Sequence, residues 1–169
     1  KTASGYLGLW IKVGTKTYPA TGVVSNTPGS GGSYTAVLKT SDPAKRTISA
    51  VVTPASGGLA ALTASASGVA PTAIGIDFAA AKGERWTGFG ERADAVVRGG
   101  TSKAQQVENY VSDGPWQPNE WDGVGRTLPP GGSRGRMDAT YFPIPWAMST
   151  RSYGVLIDND ETSRFTFPK

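Results

Sequence analysis

Apolar residues alternate with polar or small ones in several separate runs, and Gly or Pro breaks each run before it reaches helical length. Leu7, Leu9, Ile11 and Val13 alternate with Gly8, Trp10 and Lys12. Successive strand residues point to opposite faces, so this spacing puts four apolar side chains on one face of an extended segment. The rhythm returns at Tyr34, Ala36 and Leu38, at Ile48, Ala50 and Val52, and at Ile74, Ile76 and Phe78. Pro28 to Gly32, Asp42-Pro43, Pro54 to Gly58 and Gly68 to Pro71 separate these runs at intervals of about 10 to 15 residues, with the residue types that allow positive φ or fix φ. The pattern predicts an all-β chain of antiparallel strands in a β-sandwich. No window carries a helical stripe, and Gly or Pro interrupts nearly every stretch long enough to nucleate a helix. Glu91 to Val97 reads equally as a short helix, a strand or an irregular loop. Ala55 to Ala81 is rich in Ala, Ser and Gly but still alternates, which predicts weak strands rather than a linker. Tyr153 to Ile157 and Arg164 to Phe167 flank the polar tip Asp158-Asn159-Asp160-Glu161 and predict a closing hairpin. No internal repeat is evident.

Composition removes whole classes of chemistry. The 169 residues include no Cys and no His. This excludes Ser-His-Asp and Cys-His nucleophile pairs, thiolate or imidazole zinc sites and any disulfide framework within the chain. At 38% hydrophobic and 18% charged, the sequence is too apolar and too weakly charged for a disordered chain. No apolar run approaches the roughly 20 residues of a membrane helix, so no membrane partner is expected. The net charge of +4 arises from six basic and two acidic residues in positions 1 to 80, against eleven of each from 81 onward. That thin spread, with no basic cluster among aromatics, points away from nucleic acid. Position 1 is not Met, which fits a processed or trimmed chain. The missing Cys is compatible with export without proving it, so extracellular and cytoplasmic locations both stay open. The length suits a single domain over residues 1–169.

The two halves differ in kind. Eleven of sixteen aromatics and eleven of thirteen carboxylates lie after residue 81. Residues 109 to 139 form a long stretch rich in Gly, Pro, Trp and Asp without periodicity; loops of that length within compact domains are usually functional or disordered, and the Trp content argues against disorder. Functional surface is therefore expected in the second half. Glu120 and Asp122, beside Trp116 and Trp121, are the best carboxylate pair for a self-contained glycosidase, a reaction that needs two carboxylates about 5 Å apart for retention or about 6.5–9.5 Å for inversion. A solvated loop edge explains the same two residues.

Four ordered pieces resemble glycoside hydrolase family 31, the retaining α-glycosidases. They are Gly83-Glu84-Arg85-Trp86-Thr87-Gly88-Phe89-Gly90-Glu91-Arg92, Val107-Glu108-Asn109-Tyr110-Val111-Ser112-Asp113-Gly114, Thr140-Tyr141-Phe142-Pro143-Ile144-Pro145-Trp146-Ala147-Met148-Ser149, and Gly154-Val155-Leu156-Ile157-Asp158-Asn159. The resemblance covers residues 83–167. It implies the family's galactose-mutarotase-like N-terminal β-sandwich with a long irregular loop, and the alternation in residues 1 to 82 is what such a sandwich requires. The family's catalytic carboxylates sit on a (β/α)8 barrel of about 250 residues that this chain does not contain. No nucleophile motif of the W-x-D-M-N-E type occurs either. The resemblance thus implies a fragment of a larger enzyme with no catalytic residue in this chain. The domain would contact the missing barrel within one polypeptide, and the intact enzyme would hydrolyse an α-glycoside substrate without cofactor or metal.

Substrate-binding residues follow from the same resemblance. Asp113 matches a loop Asp that hydrogen-bonds a sugar hydroxyl over the barrel mouth, and an ionised carboxylate is a strong acceptor for that purpose. An Asp-Gly-Pro turn, with the side chain capping its own backbone, is the other reading. Asn109 shares both possibilities. Trp116 and Trp121 offer aromatic faces to sugar rings, and Arg126 offers a planar fork to an anion or a hydroxyl pair. Anchoring a long loop is their simpler role. A stand-alone carbohydrate-binding module using Trp116, Trp121 and Tyr110 is the rival function. Gly88 and Gly90 around Phe89 allow a close approach of backbones, and Glu91 is expected to pair with a basic partner. Without a third Gly or a helix start they make no dinucleotide fingerprint. Asp158 to Glu161 lacks the spacing of a calcium loop and reads as a turn. Tyr141, Phe142, Trp146, Phe165 and Phe167 are expected in the core.

Overall fold

The computed structural model describes residues 7–91, 105–109, 142–159 and 163–167. All paired strands are antiparallel, and no α-helix occurs among the described residues. The all-β expectation therefore holds, as an antiparallel β-sandwich fold. The chain divides into two compact units, Thr2–Ala79 and Ala80–Lys169.

In the first unit, strands β1 (Gly8–Val13), β2 (Lys16–Pro28), β3 (Tyr34–Thr40), β4 (Thr47–Pro54) and β5 (Ala60–Ala66) run as a meander. β6 (Ala73–Asp77) returns to the free side of β1, giving the order β5-β4-β3-β2-β1-β6. Ile11 and Ile48 are completely buried and Ala50 nearly so. Ile48 and Ala50 are two residues apart, as the period of two demands for one face. β1 also approaches β4, so the sheet curls around this core. On the other side of β1, Trp10 lies flat over Gly75 of the edge strand β6, where a Cβ would sit 2.1 Å from the ring. The indole Nε1 donates to Asp77 Oδ1 at 2.9 Å. An aromatic covering an edge glycine in this way restores the contact area that the missing side chain forfeits.

The β2–β3 and β4–β5 hairpins end alike. Thr27-Pro28-Gly29-Ser30-Gly31-Gly32 and Thr53-Pro54-Ala55-Ser56-Gly57-Gly58 share one pattern, a short repeat that the alternation alone does not reveal. Each tip is a single 3-10 turn, Ser30–Gly32 and Ser56–Gly58. The central glycines, Gly31 at φ 63° and Gly57 at φ 71°, take the left-handed conformation that a side chain disfavours. A backbone bond closes each tip, Gly29 N–H to Ser33 O at 2.8 Å and Ala55 N–H to Leu59 O at 2.9 Å.

The second unit holds β7 (Trp86–Glu91), β8 (Gln105–Asn109), β9 (Phe142–Ser149), β10 (Gly154–Leu156) and β11 (Ser163–Phe167). β10, β9 and β7 form one sheet, and β11 pairs with β8. The β7–β9 ladder is irregular: its register passes from Gly88 opposite Ala147 to Gly90 opposite Pro143, with Phe89 alone between them on β7 and three residues, Ile144 to Trp146, on β9. Gly88, Phe89 and Gly90 all have positive φ, at 121°, 74° and 74°. At this irregularity the Phe89 ring sits in the core, 1% exposed, against Ala147 and Phe167, with Trp86 and Phe165 alongside. Phe89 meets Phe165 and Phe167 edge-on, at centroid distances of 5.0 and 5.5 Å.

The predicted closing hairpin is corrected by these pairings. β10 turns back on β9, with Gly154 opposite Met148, and β11 pairs with β8, with Ser163 opposite Asn109. A tight turn at Thr150–Tyr153 makes the first connection, where Ser149 N–H donates to Tyr153 O at 2.8 Å. Burial of Phe167 against Phe89 outweighs the short sequence separation that favoured a β10–β11 hairpin. Of the aromatics assigned to the core, Phe167 is buried and Trp146 and Phe165 are half-buried. Tyr141 and the Phe142 side chain lie outside the described residues.

Candidate functional site

Asn109 is the last residue of β8, with its backbone opposite Ser163 of β11. Asp113, Trp116, Trp121 and Arg126 follow it in sequence and lie outside the described residues, as do Tyr110, Glu120 and Asp122. The stretch that carries them leaves from β8 and re-enters at β9, and these two strands approach one another within the same unit.

The motif segments that flank this stretch converge. The first, third and fourth pieces quoted above supply β7, β9 and β10 of one sheet. Their glycines are explained by contact: a Cβ on Gly88 would stand 2.2 Å from the Trp146 carbonyl oxygen, and one on Gly154 would stand 2.6 Å from the Trp146 ring. The close backbone approach expected around Phe89 is thus present at Gly88.

At the edge of this sheet is a polar cluster around Glu84, a residue to which the sequence assigned no role. Its side chain is 5% exposed. One carboxylate oxygen accepts from the hydroxyls of Ser149 and Tyr153, the latter at 2.7 Å. The other accepts from Ala81 N–H at 2.9 Å. Ser149 Oγ in turn accepts from Arg151 N–H at 3.0 Å, and Thr150 Oγ1 accepts from Arg85 N–H at 3.2 Å. Tyr153 stacks edge-on against Trp86, with centroids 5.3 Å apart. The cluster pins the chain entering β7 to the turn between β9 and β10. Its signal in the sequence was the Gly83-Glu84-Arg85-Trp86 piece, but the partners are distant in sequence and only the fold brings them in.

Burial by itself raises the pKa of Glu84, yet the donated hydrogen bonds from Ser149, Tyr153 and Ala81, with the nearby Arg151 charge, bring it below the ordinary carboxylate value. The Tyr153 hydroxyl is pushed up by burial and by donating to that carboxylate. Glu84 is therefore ionised and fully engaged, the opposite of a general acid, which needs a raised pKa. It acts as a clamp. Among the described residues no group of three or more His, Cys, Asp or Glu side chains is placed to hold a metal.

Replacing Glu84 by Gln sets an amide NH2 donor against either Ala81 N–H or the Ser149 and Tyr153 hydroxyls, and about 1–3 kcal/mol of stability should be lost at neutral pH. The sign of the pH dependence follows from the lowered pKa. The contribution is complete above the unfolded value near 4.5 and disappears as pH falls through the lower folded value. Urea melts between pH 3 and pH 7 should show wild type and Glu84→Gln converging in acid. A constant gap across that range would mean that the carboxylate charge is not what the cluster uses.

Residues 31–165 match the family model described as the glycosyl hydrolase 31 N-terminal galactose mutarotase-like domain. Comparison with curated proteins and with solved structures returns no match. A match over most of the chain, an all-β antiparallel fold and the convergence of three motif segments in one sheet agree: the chain belongs to the glycosyl hydrolase 31 N-terminal galactose mutarotase-like domain family.

Proposed function

We propose that residues 1–169 form a single non-catalytic N-terminal β-sandwich domain of a retaining α-glycoside hydrolase. The family match carries this reading. In it the domain buttresses a (β/α)8 barrel elsewhere in the polypeptide, and the barrel supplies the two carboxylates, about 5–5.5 Å apart, that retention requires. The stretch between β8 and β9 extends toward the sugar. Asp113 and Asn109 accept from or donate to sugar hydroxyls, Trp116 and Trp121 stack on ring faces, and Arg126 closes the rim. The domain's share of catalysis is positional, holding the glycoside where the barrel's nucleophile can reach it.

The test compares the 169-residue chain, the longer polypeptide carrying the barrel, and its Asp113→Ala variant on a panel of nitrophenyl α-glycosides. Turnover is expected from the long form only. The variant should lose on the order of 10- to 100-fold in kcat/KM, the worth of one hydrogen bond to a charged group. Turnover by the 169-residue chain would overturn the reading in favour of the Glu120 and Asp122 pair. Tight binding of that chain to polysaccharide, with no effect of Asp113→Ala on the long form, would favour the stand-alone binding module.

A further inference from the structure

Strand β5 is the edge of the six-stranded sheet, and among the described residues it is hydrogen-bonded on one side only, to β4. Which of its backbone groups face outward follows from two bonds at its ends. Ser67 N–H donates to Thr47 O at 3.0 Å, and Ala55 N–H donates to Leu59 O at 2.9 Å. In an antiparallel ladder the hydrogen-bonded pairs alternate, so the odd-numbered residues from Leu59 to Ser67 turn their N–H and C=O toward β4. Ala60, Leu62, Ala64 and Ala66 direct theirs outward.

Natural sheets guard such an edge with charge, Pro, a bulge or a covering element. This strand, Ala60-Ala61-Leu62-Thr63-Ala64-Ser65-Ala66, carries no charge, no Pro and no bulge against β4, and the neighbouring β6 approaches it without pairing. No charged residue occurs between Arg46 and Asp77. Its outward-facing residues are small apart from Leu62, which is 43% exposed. Leu62 also ends an exposed apolar row that crosses three strands, since Tyr34 stands opposite Val52 and Val52 opposite Leu62. Tyr34 and Val52 are 41% and 38% exposed.

We infer that β5 pairs antiparallel with β5 of a second copy of this chain, about a two-fold axis at Leu62. Only pairs of outward-directed residues can exchange bonds across the edge. Leu62 opposite the partner's Leu62 meets that condition and places Ala60 opposite the partner's Ala64, and Ala64 opposite the partner's Ala60. Each of these three pairs exchanges two N–H···O bonds. The same register sets the two apolar rows end to end, from Tyr34 through both Leu62 side chains to the partner's Tyr34. A second copy suits this edge better than a charged strand because a neutral edge meets its own image without repulsion, and an isologous contact closes after two subunits.

The experiment is light scattering on size-exclusion eluate of the 169-residue chain over a concentration series. A mass rising toward twice 17.5 kDa is expected. The Leu62→Lys variant, which sets two ammonium groups face to face on the axis, should stay at the single-chain mass with an unchanged circular dichroism spectrum. Val69→Lys, at an exposed position outside the strand, should dimerise like wild type. Because the chain has no cysteine, single substitutions test the register. Residues directly opposite in a hydrogen-bonded pair lie about 5.5 Å apart between Cα atoms, within disulfide reach. Mild oxidation should therefore link Leu62→Cys chains and leave Thr63→Cys chains single. A single-chain mass at every concentration, a dimer that survives Leu62→Lys, or equal cross-linking of the two Cys variants would each overturn the proposal.

Discussion

Gly88→Ala should unfold the Ala80–Lys169 unit. Two costs coincide at this position. A φ of 121° is one that L residues rarely adopt, and holding a side chain there costs about 1–3 kcal/mol. The added methyl would also stand 2.2 Å from the Trp146 carbonyl oxygen, 3.2 Å from its carbon and 3.3 Å from the Ala147 Cα. All three neighbours are backbone on the paired strand β9, so relief requires β7 and β9 to separate and give up their ladder. The combined loss should exceed about 4 kcal/mol, in the range reserved for direct disruption of a core element. Gly83→Ala is the matched control, with φ at 75° but nothing within 4 Å of the new methyl. It should cost about 1–2 kcal/mol. Denaturant titration followed by tryptophan fluorescence reads this unit, which contains Trp86 and Trp146. Equal midpoints for the two alanine variants would refute the close-approach account of the first motif.

Phe89→Ala should be the most damaging change that leaves the ladder intact, at about 3–5 kcal/mol. The ring is almost fully buried and meets Phe165 and Phe167 of β11 edge-on. Its removal leaves a cavity between β7 and β11, which share no ladder bonds, so that contact rests on side chains. Phe89→Leu keeps most of the volume and should cost less than about 1.5 kcal/mol if repacking succeeds. Thermal melts at constant pH would rank the pair, and an Ala variant no worse than the Leu variant would show that the ring is not what holds β11.

Four of the six strands in the first unit were legible because their alternation is unbroken. β2 was not, and its pairing explains why. Its register against β3 shifts between Ala20 and Gly22 and again between Val23 and Ser25. Each irregularity resets which residues face the core, so a long strand shows no sustained period of two. β7 escaped the alternation because Gly88 and Gly90 flank Phe89 and leave it no apolar neighbour, so only its glycines marked it. β10 and β11 were assigned to each other because short separations are the cheapest to close. The aromatic core decided otherwise, and no local pattern records a partner on the far side of a long intervening stretch. Glu84 was likewise legible as part of a motif but not as a clamp, since Ser149 and Tyr153 are adjacent to it only in the fold. For the candidate site the sequence reached further than the described structure, which places the backbone of Asn109 and leaves Asp113, Trp116, Trp121 and Arg126 as a proposal. The family match starts at residue 31, while the sheet starts at Gly8. β1 and β2 lie before the match, yet β2 pairs with β3 and β1 with β6, so the matched segment alone would leave two sheet neighbours missing.

The ladder between β7 and β9 clasps its two ends across residues 92–141, with Glu91 opposite Phe142. That span includes β8, itself held by β11, and in general the entropic cost of closing a loop rises by only about 0.6 kcal/mol for each doubling of its length. Once the Gly88 contact and the Phe89 cluster hold the clasp shut, insertions and deletions in the span on either side of β8 draw little on the stability of the strands. A change of length there is therefore far cheaper than a substitution at the two glycines or the phenylalanine that hold the clasp.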